Sequence, residues 1–384
     1  MTRKLATIRE IKEIRSIEGA DLIELAIVDG WQCVVAKKDG FKVGQKAIYF
    51  EIDSLLPQTP EFEFLKPRGT KTSDDGTVGY RLRTIKLRGE LSQGLLLPIN
   101  NFKNLNERKL NINDDLTQKL NISLYEPPIK LNGLPPTRKR ILFNKAYEFT
   151  KKYSPALARL IFPIFAKFLF GKTKIKTFPC FIRKTDQERI QNLSGKLEYL
   201  SKFTYEKTIK LDGSSMTVYY NKGKTGVCSR NQELDPKEVC KFNEIEQKYD
   251  IKNLLIAYGK NIAIQGELIG ESIQGNPENL NGNDLYVFDI FDIDKQRYLL
   301  PYERLEVLNV LNMGAELPLK HVPILENEYN ISNMSVNDIL SNAEGKSLFS
   351  KNREGVVFKS NELANGHIVH FKAISNKYLL KQQD

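Results

Sequence analysis

The chain has 384 residues, 41% hydrophobic and 27% charged, which excludes a fibrous protein and a largely disordered one. Its 58 Lys and Arg exceed its 47 Asp and Glu by +11, a balance that favours polyanionic partners such as nucleic acid or an anionic membrane. Four scattered cysteines without a C-x-x-C pair, and only three histidines, exclude a disulfide framework and give no zinc pattern. A reducing, cytoplasmic setting is the expectation. The N-terminal stretch lacks the apolar core of a secretory signal.

Residues 1–125 read as short strands between turns. Asp29-Gly30 and Asp39-Gly40 are turn dipeptides. Residues 45–53, QKAIYFEID, are strand-like. Residues 80–100 alternate basic and apolar positions, then turn apolar; Leu82, Ile85 and Leu87 break strict alternation and predict a bulge. Several short strands in this length suit an OB-type β-barrel. Residues 126–136 are Pro- and Gly-rich and read as a linker. From Arg138 to Lys176 there are eleven Lys and Arg against one acid, Glu148, with aromatics interleaved. This segment predicts helix with a break at Pro163, serving as a domain cover, a nucleic-acid surface or an interfacial element. Its most apolar part, Ala156–Gly171, is interrupted by charges and shorter than the roughly 20 residues a membrane span needs.

Residues 178–384 read as a mixed domain. Thr217–Tyr220, Ile262–Leu268, Leu285–Phe291, Gly355–Lys359 and His367–Ile374 predict strands, and Pro236–Tyr249 a helix. The predicted class is α+β: the barrel at 1–125, a linker and basic insert at 126–177, and a second domain of antiparallel sheets with flanking helices at 178–384.

Within that domain Lys210-Leu211-Asp212-Gly213 forms a K-x-D-G. A lysine amine attacks the α-phosphate of a nucleotide when it is unprotonated and in line with the leaving pyrophosphate. A neighbouring carboxylate can hold a metal ion that lowers the amine's pKa. Four ordered segments follow. Glu267 ends an apolar strand, Phe288 and Asp289 lie in an aromatic one, Glu354 and Lys359 bracket a third, and His370 and Lys372 fall in a fourth. Each also has a plain explanation, such as a turn lysine, a strand-end acid or a core phenylalanine. Their order is what links them.

The series resembles the covalent nucleotidyltransferases, the superfamily of ATP-dependent ligases and RNA capping enzymes. It is most similar to RNA ligases with an N-terminal OB domain. Residues 178–192, with Arg189, and residues 81–98 resemble parts of the same family. The resemblance implies an ATP-grasp-like ligase domain, with ATP as co-substrate and Mg2+ or Mn2+. The implied partner is RNA with 3'-OH and 5'-phosphate ends, duplex or nicked, in RNA repair. It implies that Lys210 carries AMP and that Asp212, Asp289 and Glu354 hold metal. Glu267 would contact ribose, and Phe288 would stack on adenine. Lys359, Lys372, Arg189 and Arg230 would contact phosphates. His370 stands where the family's first K-x-K lysine is found, so its role is open. Arg81, Arg83, Lys86 and Arg88 would contact RNA on the barrel. Two alternatives stay open: a capping-type guanylyltransferase, and a non-catalytic OB-fold RNA-binding protein. Barrel-first order favours the ligase.

Overall fold

Asp29 and Gly30 both take positive φ, 47° and 82°, and join the strands Ile23–Val28 and Trp31–Ala36 in a hairpin. An Asp-Gly pair adopts this left-handed backbone readily, which is why it closes two-residue turns. The computed structural model describes residues 3–127 and 176–382, with Ala146, Thr150 and Ser154 between them. The basic, aromatic segment predicted from Arg138 lies almost wholly outside the described residues.

The barrel is built from small antiparallel sheets. Ala6–Glu10, Lys46–Phe50 and Leu95–Leu97 form one, and Glu13–Ser16 joins the Ile23–Ala36 hairpin in another. Ile8, Ile48, Phe50 and Phe62 fill one apolar cluster; Val28, Trp31, Val35 and Tyr49 fill a second. The irregularity predicted near Leu82 is a break. Val78–Arg81 ends, and Ile85–Leu87 pairs with Glu90–Ser92 around the left-handed Arg88-Gly89 turn.

The second domain stacks two sheets. Ser214–Asn221, Ile262–Gly270 and Asn283–Asp292 are central to the first. In the second, Thr204–Lys210 lies between Ile324–Asn330 and Gly355–Ala364, and His367–Ile374 pairs with the latter. The predicted strands are present and mostly longer than their apolar cores. The predicted helix starts later, at Lys241, because the Asn243 side chain donates to the carbonyls of Asp235 and Glu238 and holds the preceding residues in turns. Two helices that the sequence reading did not separate, Ile251–Tyr258 and Pro301–Met313, pack their Leu254, Leu255, Leu308 and Leu311 onto the first sheet. Among the described residues no helix is long and apolar enough to cross a membrane.

The domains meet through specific polar contacts. Arg9 donates to Ser194 Oγ at 3.2 Å, and Asn192 donates to Glu51 Oε1 at 2.8 Å. Gly30 sits so close to the second domain that a Cβ there would lie 2.7 Å from Val336 Cγ1.

Candidate active site

A cavity of about 540 Å³ opens between the two sheets, within the usual range for a nucleotide-sized ligand. Lys210, the last residue of its strand, projects into it. Antiparallel pairing sets Lys210 opposite Gly355, which brings the preceding Glu354 to the amine. Lys210 Nζ donates to Glu354 Oε2 at 2.5 Å. No side chain fits at Gly355, where a Cβ would lie 2.2 Å from the Ala373 carbonyl oxygen. Burial alone would lower the pKa of Lys210, but Glu354, then Glu267 and Asp212, outweigh it and raise it. The resting amine is therefore an ammonium.

Glu267 stands across the sheet, opposite Ser215. Burial raises its pKa to about 8; Lys210 opposes that shift, while Glu354 and Asp212 add to it. Gly213 lines the cavity and also permits close strand packing. A Cβ there would meet the Leu268 carbonyl oxygen at 2.3 Å, so its bareness lets two strands close together.

Phe288 reaches the cavity through a bulge. Gln265 faces Asp289, but Gly266 faces Val287, leaving Phe288 unpaired. A bulge re-aims the extra side chain, here into the cavity opposite Val322 and Val357. The same bulge frees the Phe288 carbonyl, and Lys359 donates to it and to Asp289 Oδ1, the latter at 2.8 Å. This bears on two expectations. Lys359 lines the cavity, but it is 2% exposed and its amine is bonded to these two buried partners. Asp289 is also 2% exposed, does not line the cavity and is held by Lys359 and by Arg304.

The predicted metal trio is not brought together. Among the described residues no three His, Cys, Asp or Glu side chains converge as a metal site. Asp289 is buried elsewhere, and Asp212 Oδ2 accepts from the Tyr378 hydroxyl and from Gln382. Glu354 and Glu267 do fit a divalent cation. They are two carboxylates crowding one amine, and magnesium binds through one or two carboxylates plus water and phosphate.

Cations gather at the other end. Lys372 lines the cavity, 3.8 Å from Asp186. Burial, then the nearby Lys210 and Arg189, lower its pKa to about 8. Arg189 pairs in register with Lys372 and lies 5.5 Å over the Trp31 ring of the barrel. It lies outside the cavity lining, and its Nη1 is buried with no hydrogen-bond partner among the described residues. Arg230 is exposed at the rim. His370 lies outside the cavity lining, its ring centroid 6.3 Å from that of Tyr298, and burial lowers its pKa. Lys207, the nearest alternative nucleophile, is also outside that lining; it donates to Asn342 and lies over Tyr329. Thr185, Asp186 and Gln187 line the cavity; of their segment, 178–192, only Arg189 was singled out from the sequence.

On the barrel, Arg83 and Arg88 are exposed and Lys86 is half-buried. Arg81 is not free. It donates to Asp53 at 2.7 Å and stacks on Tyr125.

A family profile described as an OB-fold domain matches residues 5–99, and one described as RNA ligase matches residues 204–374. The whole chain is similar to Naegleria gruberi RNA ligase. A variant of that ligase with ATP and Mn is 40% identical, covers 98% of this chain and 99% of its own, and has a TM-score of 0.75. The same ligase with PPi covers 100% of both chains at 40% identity and TM-score 0.75. Another variant with AMP and Mn covers 99% of both, again at 40% identity and TM-score 0.75. No curated protein sequence matches.

Proposed function

The chain belongs to the RNA ligase family, and on that premise we propose how its residues divide the work of an ATP-dependent RNA ligase. The observation that carries the reading is the Lys210–Glu354 contact inside a cavity with an aromatic wall at Phe288 and a cation at Lys372, whose strand partner is Arg189.

Adenine stacks on Phe288, with Val322 and Val357 as apolar walls. Glu267 contacts the ribose. Lys372, Arg189 and Arg230 hold phosphates. Lys210 Nζ, once deprotonated, attacks the α-phosphorus; a P–N bond forms, the bond to the bridging oxygen breaks and diphosphate leaves. A divalent cation at Glu354 and Glu267 would supply positive charge that lowers the amine's pKa and screens the α-phosphate. The RNA 5'-phosphate then displaces Lys210 to give a 5'-adenylylated end. Finally the RNA 3'-OH attacks that 5'-phosphate and AMP leaves. Arg83, Lys86 and Arg88 on the barrel contact the RNA backbone. Duplex RNA with a nick, as in RNA repair, is the substrate form this arrangement suits.

Joining should therefore occur with ATP on nicked duplex RNA carrying 3'-OH and 5'-phosphate ends. Joining supported by GTP instead would point to capping-type chemistry, and binding without joining to the RNA-binding alternative.

The depressed pKa of Lys372 gives a second expected result. ATP phosphates favour the ammonium, so binding restores the proton that the free site loses above its pKa of about 8. ATP affinity should be flat below that value and fall as pH rises through it, by up to roughly tenfold per unit. Lys372→Arg should lessen the fall, because the guanidinium stays charged while Glu267 still ionises in the same range. Calorimetric titrations at about pH 7 and about pH 9 check this. A pH dependence identical in wild type and variant would remove Lys372 from phosphate binding.

A further inference from the structure

The C-terminal helix, Asn376–Gln382, makes contacts that none of these steps uses. It follows the strand His367–Ile374 and is anchored at three points. The Ser375 N–H donates to the Glu354 carbonyl at 2.8 Å. The Gln93 side-chain amide, from the barrel, donates to Asn376 Oδ1 at 3.0 Å. The Tyr378 hydroxyl donates to Asp212 Oδ2 at 2.6 Å, and Gln382 Nε2 adds a second bond at 2.9 Å.

Each end of this path is fixed. Gln93 is fully buried; its side-chain oxygen accepts from the Gln32 N–H, its carbonyl accepts from Tyr49, and its own N–H donates to Gln32. Tyr378 is 7% exposed, and its N–H donates to Ser375 Oγ. The barrel end of the helix packs against Glu90–Ser92, one arm of the hairpin whose turn carries the exposed Arg88. Asp212 itself follows Lys210 by two residues, in the loop that turns the nucleophile's strand into the next.

We propose that Tyr378 is a positioning residue for the ligation reaction, fixing the Asp212 carboxylate beside Lys210 and tying it to the RNA-facing barrel. This rests on the reading of Lys210 as the nucleophile. A phenol bonded to a carboxylate is a charge-assisted pair, roughly twice as strong as a neutral one. It holds one oxygen of Asp212 and thereby sets where the other points. With the hydroxyl removed, only the exposed Gln382 amide still holds that oxygen, and the charge beside the nucleophile becomes more variable.

The test is the single-turnover rate constant of lysyl-AMP formation in the full-length chain, with α-labelled ATP and manganese. Unlike the yield, that constant is independent of the fraction of protein folded. Wild type, Tyr378→Phe, Asp212→Asn and the double variant are compared across ATP concentrations. Tyr378→Phe should slow the step on the order of tenfold at saturating ATP, the usual weight of a hydrogen bond to a charged group, with half-saturation unchanged. In the Asp212→Asn background the same change should slow it by less than about twofold, because the charge that the hydroxyl serves is gone. A Tyr378→Phe rate equal to wild type would overturn the proposal. So would losses that multiply in the double variant, which would mark Tyr378 as a helix-docking residue alone. Absence of adduct in wild type would instead overturn the nucleophile reading, and this proposal with it.

Discussion

Lys210→Ala is expected to lose ATP-dependent joining by at least about 10³-fold and yet still seal an RNA whose 5' end already carries AMP. The two halves of this result come from different bonds. Lys210 forms a P–N bond in the first step and gives it up in the second, so both steps require its amine. In the third, the RNA 3'-OH attacks an RNA phosphate and AMP leaves, and no atom of Lys210 takes part. The cavity proposed to hold AMP, lined by Phe288, Glu267 and Lys372, keeps those three side chains in the variant. Lys207 offers no substitute, since its amine is bound to Asn342 away from the cavity lining. Sealing assays with ordinary and pre-adenylylated RNA, side by side, check this. Equal loss on both substrates would mean that Lys210 is structural. Retained joining with ATP would mean that another residue is the nucleophile.

Glu206→Ala is expected to destabilise the protein by about 3–5 kcal/mol, the effect of stranding a buried charge. Glu206 lies on the nucleophile's strand, 1% exposed, and Arg304 donates to both its oxygens at 2.6 and 2.7 Å. Arg304 is wholly buried, and its Nη1 has no hydrogen-bond partner among the described residues. Its Nε lies 3.0 Å from His321 Nε2. Burial, then Arg304 and Lys359, lower the pKa of His321 to about 3, so the ring is neutral and accepts from Arg304. His321 directly precedes Val322 and Asp289 directly follows Phe288, and Val322 and Phe288 line the cavity. The Glu206–Arg304 pair thus underlies both sides of the base pocket. Denaturant unfolding measures the loss. A change under about 1 kcal/mol would show that the guanidinium finds water or another partner when Glu206 is gone.

Much of the site was legible because its residues sit in short local motifs, in or beside strands. Lys210, Glu267 and Lys372 lie on three separate strands and Glu354 just before a fourth, and antiparallel pairing brings them to one cavity. What was not legible depends on register and distant contacts. One unpaired residue in a strand pair decides that Phe288 faces the cavity while Asp289 and Lys359 are bonded to each other, and nothing in the local sequence marks that slip. Asp212 reads as a metal ligand until Tyr378, 166 positions later, is seen to hold it. Arg81 reads as a free cation until Asp53 and Tyr125 are seen around it. Arg189 was picked out by likeness alone; what shapes its surroundings is Trp31 of the other domain. In the barrel, Asp29-Gly30 was legible because a left-handed turn restricts which residues can close it.

The central claim is that Lys210 carries AMP during the reaction, and mapping the adduct tests it most directly. The full-length protein is incubated with magnesium and α-labelled ATP, without RNA, then digested and its labelled peptide sequenced. The account predicts acid-labile, base-stable label on Lys210, discharged when diphosphate or 5'-phosphorylated RNA is added. Label on any other residue, or a folded protein that takes none, would contradict it.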